Sequence, residues 1–305
     1  MDTTLIKEVS NWIHRNARPI DMARWSYLFE DGSKEAVIKE LEHYQNEDGG
    51  FAYGLEADCW NDESQPIQTW KATEIIHEIG GIEKSHSLIS DILTYLENCP
   101  HFSNYRWHGT IPSNNNCSHG EWWDYSEDMV RIWNWNPTVC LAGFILFYSD
   151  KDSNIYNLGK ASALEGYSWF RSQEHMESMH QTFCFLRLYE YLVEAGISNL
   201  IDLEEFKELL NKHINDLIEK DSSIWQTEYV CKPSFFINSK ESMFYTDNID
   251  ITKYEVDFIM NSRTSEGVWN PSWAWSSYGE QWHIAKNWWK ADIAIKNVKF
   301  LKNFS

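Results

Sequence analysis

The chain has 305 residues and is 43% hydrophobic, enough for a sizeable core and unlike a disordered tail. Asp and Glu outnumber Lys and Arg by 46 to 26, a formal net charge of −20 that no basic cluster interrupts. Such a surface excludes nucleic acid and anionic lipid as expected partners.

The N-terminal stretch has no apolar run of the kind a secretory signal needs, so the expectation is a cytoplasmic chain. The longest apolar run, Val139 to Tyr148, is far shorter than the roughly 20 residues that span a bilayer, and no membrane insertion is expected. Six scattered cysteines without a CxxC pair read as free thiols in a reducing compartment. The 17 Trp exceed what a core needs for volume, which points to rings that line a cavity or stack between helices.

Taken in order, Leu5 to Asn16 and Pro19 to Glu30 carry helical period, with Pro19 suited to a first helical turn. The next helix starts near Ser33 and places Ala36, Val37, Leu41 and Tyr44 on one face. Pro66 opens a helix that stops at Gly80 and Gly81, and Glu83 to Asn98 forms another. Cys99 to Asn136 is a long polar and tryptophan-rich connection, with a short helix expected over Glu121 to Asp128.

Helices follow over Pro137 to Tyr148, Leu158 to Gln173, His180 to Glu194 and Leu200 to Glu219. Trp225 to Thr246 is irregular, with Tyr229 to Ile237 a candidate short strand. Ile249 to Ser262 and Gln281 to Phe300 complete the set. No linker composition cuts the chain. The reading is one all-α domain over residues 1–305, with about 10 to 12 helices.

The helix ends repeat. Gln45, Gly49, Gly50 and Phe51 have an echo in Arg263, Glu266, Gly267, Val268 and Trp269, and a truncated one in Tyr167 to Glu174. The following helix starts echo as well, at Gln65 to Thr69, Asn136 to Thr138 and His180 to Thr182. Irregular repeats of this size indicate stacked helical hairpins, as an open solenoid or a closed ring. The first copy resembles the Q-W motif of squalene-cyclase-type proteins and the glycine turns of protein prenyltransferase β subunits. The resemblance implies an α/α toroid around a central cavity, of the terpenoid cyclase and prenyltransferase superfamily. It implies fold and not chemistry, because the glutamine and the aromatic ring serve to staple a helix end. The D-x-D-D acid of the cyclases is absent, and Asp58 with Cys59 departs in spacing from the zinc set of the prenyltransferases. No metal and no cofactor are expected.

In such a ring the loops Phe51 to Ser64, Cys99 to Asn136, Trp225 to Thr246 and Asn270 to Trp289 would share one rim. Glu56 and Asp58, beside Tyr53 and Trp60, are candidate catalytic carboxylates, or else caps of the Pro66 helix. Glu121 and Asp124 flank Trp122 and Trp123, a composition suited to a sugar ring or to a carbocation, or else to a solvated acidic helix. Trp135, Trp269, Trp273 and His180 are further candidates for substrate contact.

Three functions fit these residues: an enzyme using carboxylate acid/base chemistry on an isoprenoid-like or other largely neutral small molecule, a carbohydrate-active toroid (glycoside hydrolase or epimerase), or a non-catalytic small-molecule receptor. The sequence leaves oligomeric state open.

Overall fold

The computed structural model describes residues 3–304. Among them the chain is mostly helical: α1 (Thr3–Asn16), α2 (Pro19–Phe29), α3 (Lys34–Glu42), α4 (Pro66–Glu78), α5 (Ser87–Asn98), α6 (Glu127–Trp133), α7 (Thr138–Tyr148), α8 (Asn154–Arg171), α9 (Met179–Glu194), α10 (Leu203–Leu217), α11 (Ile249–Asn261) and α12 (Gly279–Phe304). The one sheet among the described residues is an antiparallel ribbon, β1 (Phe102–Ser103) and β2 (Arg106–Trp107), inside the long connection. Among the described residues no helix is long and apolar enough to cross a membrane.

Local departures from the sequence reading have local causes. Tyr229 to Ile237 forms no strand; Pro233 instead opens a 3-10 turn, Pro233–Phe235. The short helix expected over Glu121 to Asp128 divides into a 3-10 turn, Glu121–Trp123, and α6. The break falls at Ser126, whose hydroxyl accepts from the Met129 N–H at 3.1 Å and so caps α6. Ser153 does the same for α8, which begins earlier than periodicity suggests.

The chain divides into two compact units, residues 41–210 and residues 3–40 together with 211–304. In the first, α7 is apolar on every side and buried almost throughout, so it forms the centre against which α8, α9 and α4 pack. Arg187 of α9 reaches Glu74 of α4 at 2.9 Å, a half-buried ion pair that links the two helices. In the second unit, Leu5, Val9 and Ile13 of α1 meet Ile295 and Val298 of α12 and Trp25 of α2 in one apolar cluster. Each such side chain contributes roughly 1.5–3 kcal/mol on burial. Asp21 is wholly buried there, yet it accepts from Arg18 at 2.7 Å and Arg24 at 3.0 Å, and Arg24 also donates to Asp292 of α12 at 2.9 Å. A buried charge is tolerable only when paired in this way.

The repeated helix ends have the same backbone. After α3, the Asn46 N–H donates to Gly50 O at 2.9 Å and the Gly49 N–H to Asn46 O at 3.0 Å. After α11, the Thr264 N–H donates to Val268 O at 2.8 Å and the Gly267 N–H to Thr264 O at 3.0 Å. Gly49 and Gly267 occupy the same place, with φ of 89° and 84°. The aromatic that follows is buried in both, Phe51 at 0% and Trp269 at 4% exposure. Only the glutamine position differs in partner. Gln45 donates to Gly49 O at 3.0 Å inside its own turn, whereas Arg263 donates to Glu8 of α1 at 2.7 Å.

Candidate functional site

The first turn aims the segment that follows it. Gln65, at the N-cap of α4, donates its backbone N–H to Phe51 O at 3.1 Å. One turn on, Gln68 is wholly buried and brackets the loop: its Oε1 accepts from the Glu56 N–H and its Nε2 donates to Cys59 O, both at 2.6 Å. Thr69 adds a bond from the Phe51 N–H at 3.2 Å. The α4 start therefore shapes residues 51–59 from beneath.

This loop zips to the long connection. The Trp60 N–H donates to Ser118 O at 3.0 Å and the Gly120 N–H to Asp58 O at 2.9 Å, flanking an antiparallel bridge between Cys59 and His119. Behind the bridge lies a buried amide network: Asn61 donates to Asn114 at 2.9 Å, and Asn114 donates to Thr110 at 3.1 Å and to Trp123 O at 3.0 Å. Every donor here finds an acceptor, which fixes the two loops as one body. Two of the four loops expected on one rim, residues 51–64 and 99–136, are thus joined by backbone pairing across some sixty positions.

Glu56 and Asp58 lie in this body, 6% and 2% exposed, and Trp123 donates its indole N–H to Glu56 at 3.3 Å. Trp123 is itself covered, stacked on Trp133 at 4.6 Å with planes 16° apart, while Trp133 donates to Trp122 O at 2.8 Å. The Trp123 face is therefore occupied by an indole. Trp60 is half-buried and donates to Ala57 O at 3.0 Å, and Tyr53 is exposed with φ of 61°.

Glu121 and Asp124 are both exposed. Asp124 faces His119, whose Nε2 lies 2.7 Å from Asp124 Oδ1 while its Nδ1 lies 2.8 Å from Cys117 O. Both partners are acceptors only, so both ring nitrogens must carry hydrogen and the ring is an imidazolium. Its pKa rises to about 9, first through the Cys117 side chain and then through Asp124. Cys117 moves the other way, to about 6, through the neighbouring Cys59 thiol first and His119 second. The Cys59 thiol is pushed up, by burial first and by Cys117 second.

The remaining candidates stand elsewhere. Trp135 is buried under the Arg106 guanidinium, 5.3 Å from the ring centroid. His180 is half-buried in the first turn of α9. Trp269 and Trp273 belong to the other unit, where Trp269 donates to Ile259 O at 2.8 Å from within the apolar core. Trp273 meets Tyr229 edge-on at 5.1 Å, which joins the Trp225 to Thr246 loop to the segment before α12. It also meets Trp289 of α12 at 5.0 Å, since residues 279–289 are helix and not loop. That unit also carries a cleft of about 460 Å³ between α1 and the second glycine turn, edged by Arg15, Arg263, Glu8 and Glu266; no candidate named above lines it.

Among the described residues, no group of three or more His, Cys, Asp or Glu side chains is placed to hold a metal ion. Reading residue by residue passed over Gln68, Asn114 and Cys117 as site-forming. Cys117 and His119 did carry a signal, because residues two apart in an extended segment share a face. No family model, curated protein or solved structure matches this chain.

Proposed function

We propose that this chain is an enzyme built as an α/α toroid resembling terpenoid cyclases and protein prenyltransferases, with Glu56 and Asp58 supplying acid/base chemistry to a small, largely neutral, isoprenoid-like substrate. The observation that carries the chemistry is the burial of both carboxylates in a rigid, aromatic-edged pair of loops. Burial disfavours the charged form of a carboxyl, so two acids in different surroundings can divide the roles of proton donor and acceptor. The repeated glycine turns after α3 and α11, each closing a helix before an aromatic staple, support the ring of hairpins. The Trp123–Trp133 stack argues against a sugar lying on that indole face.

A thermal-shift panel of sugars, isoprenoid alcohols and isoprenoid diphosphates tests the reading. Isoprenoid alcohols are expected to raise the melting temperature; stabilisation by sugars alone would overturn the proposal in favour of a carbohydrate-active enzyme. With a substrate from that panel, Asp58→Asn should abolish turnover at a cost of no more than about 1 kcal/mol in stability, since the amide keeps the shape. A large stability loss with turnover intact would reassign Asp58 as a loop brace.

A further inference from the structure

We propose that Cys117 and Cys59 form a redox-active thiol pair, in which Cys117 attacks a hydroperoxide and Cys59 resolves the product as a disulfide. The proposal stands apart from the carboxylate reading and needs none of its substrates.

Four observations converge on it. The two sulfurs converge on one residue, Asn114, although 58 positions separate them in sequence (59 and 117): Cys59 Sγ lies 3.5 Å from Asn114 Oδ1 and Cys117 Sγ 3.2 Å from Asn114 O. Cys59 is fully buried, in a segment held by the backbone bridge to His119. Cys117 is half-buried and the more exposed of the two. His119, held as an imidazolium between Cys117 O and Asp124, sets a positive charge beside Cys117. A cation beside a partly exposed sulfur is the environment that generates a reactive thiolate.

The opposing charges are Asp62 from the first loop, which disfavours the Cys117 thiolate, and Glu56, which disfavours that of Cys59. The Asn114 carbonyl, 3.2 Å from the Cys117 sulfur, also favours the thiol form. The asymmetry assigns the attacking and resolving roles. No other cysteine has this setting: Cys99 lies against the Tyr95 hydroxyl, Cys140 and Cys184 are sealed in the core, and burial pushes Cys231 up to about 12.

The chemistry balances with a hydroperoxide as oxidant. The Cys117 thiolate donates an electron pair to the terminal peroxide oxygen; the S–O bond forms as the O–O bond breaks, and the departing oxyanion takes a proton from solvent. The Cys59 sulfur then attacks the Cys117 sulfenic sulfur. The S–S bond forms as the S–O bond breaks, and the hydroxide leaves with the Cys59 thiol proton as water.

The test uses the full-length, fully reduced chain. Iodoacetamide alkylation of each cysteine is followed by peptide mass spectrometry across pH, then the products of stoichiometric hydrogen peroxide are mapped without reductant. The Cys117 rate should level off above pH about 6, a result that mere accessibility cannot produce. An ordinary thiol keeps gaining roughly tenfold per pH unit up to about 8.5. Peroxide should yield a Cys59–Cys117 linked peptide, and in Cys59→Ser a sulfenic acid on Cys117 that dimedone traps. Asp124→Asn, a surface change that spares the core, should move the plateau of Cys117 alkylation up by about one pH unit, which slows the reaction roughly tenfold at pH 5 and only about twofold at pH 7. A Cys117 rate that climbs to pH 8.5 would overturn the proposal, as would peroxide products that do not favour this pair. Stoichiometric zinc released on alkylation would overturn it too, by making the thiols ligands.

Discussion

Single residues set the pH behaviour of this protein. Glu255 on α11 is fully buried and accepts from the Ser234 N–H at 2.7 Å and its hydroxyl at 2.5 Å, with Lys232 nearby. Burial outweighs these bonds and lifts its pKa to about 7. The folded chain therefore binds this proton more tightly than the unfolded one, whose carboxyl keeps its ordinary value near 4.5. Its contribution is fully present below that value and falls as pH rises through 7. Urea unfolding at pH 5 and pH 8 should show Glu255→Gln losing that slope, a difference of a few kcal/mol at about 1.4 per pKa unit. Parallel pH dependence in the two proteins would remove Glu255 as the cause. The Cys117–His119 pair acts in a different window. The raised His119 pKa adds stability that is lost as pH climbs through about 9, and the lowered Cys117 pKa adds stability that is lost as pH falls through about 6.

At the level of elements, the two glycine turns have equal backbones and unequal surroundings. A methyl group on Gly49 would run into the Asp91 carbonyl oxygen, whereas on Gly267 it would meet only the Glu8 side chain at 3.6 Å. Both positions carry positive φ, which costs a non-glycine residue about 1 kcal/mol or more. Gly267→Ala should therefore lose roughly that amount and Gly49→Ala several kcal/mol, measured by urea unfolding. Equal losses would show that conformation alone, and not the approach of Asp91, decides the first turn. These turns were legible in the sequence because their determinants are neighbours: a glycine, a staple aromatic and a preceding helix lie within about seven positions. Pro19 and Pro66 marked helix starts for the same reason. The candidate strand at Tyr229 failed because a short β-branched and aromatic run is only a packing preference, and no partner strand faces it.

For the molecule as a whole, a net charge of −20 makes self-repulsion a standing cost of the folded state. Raising sodium chloride from about 10 to about 150 mM shortens the Debye length from about 30 to about 8 Å, so the melting temperature should rise by roughly a few degrees. A melting temperature that falls with salt would mean that ion pairs such as Arg187–Glu74 and Arg24–Asp21 outweigh the repulsion.

The sequence by itself determined the helical class, most helix boundaries and the recurring turn, all of which depend on residues within a few turns of one another. It also singled out Glu56 and Asp58 as carboxylates in an aromatic segment. Only the tertiary structure decided what they stand beside. The pairing of residues 58–60 with 118–120 closes a loop of some sixty positions, and no periodicity encodes its register. That closure turned Asp124 from a free carboxylate into the counter-charge of His119 and covered Trp123 with Trp133. It also brought two cysteines from distant segments onto Asn114, whose buried amide network ties the loops together.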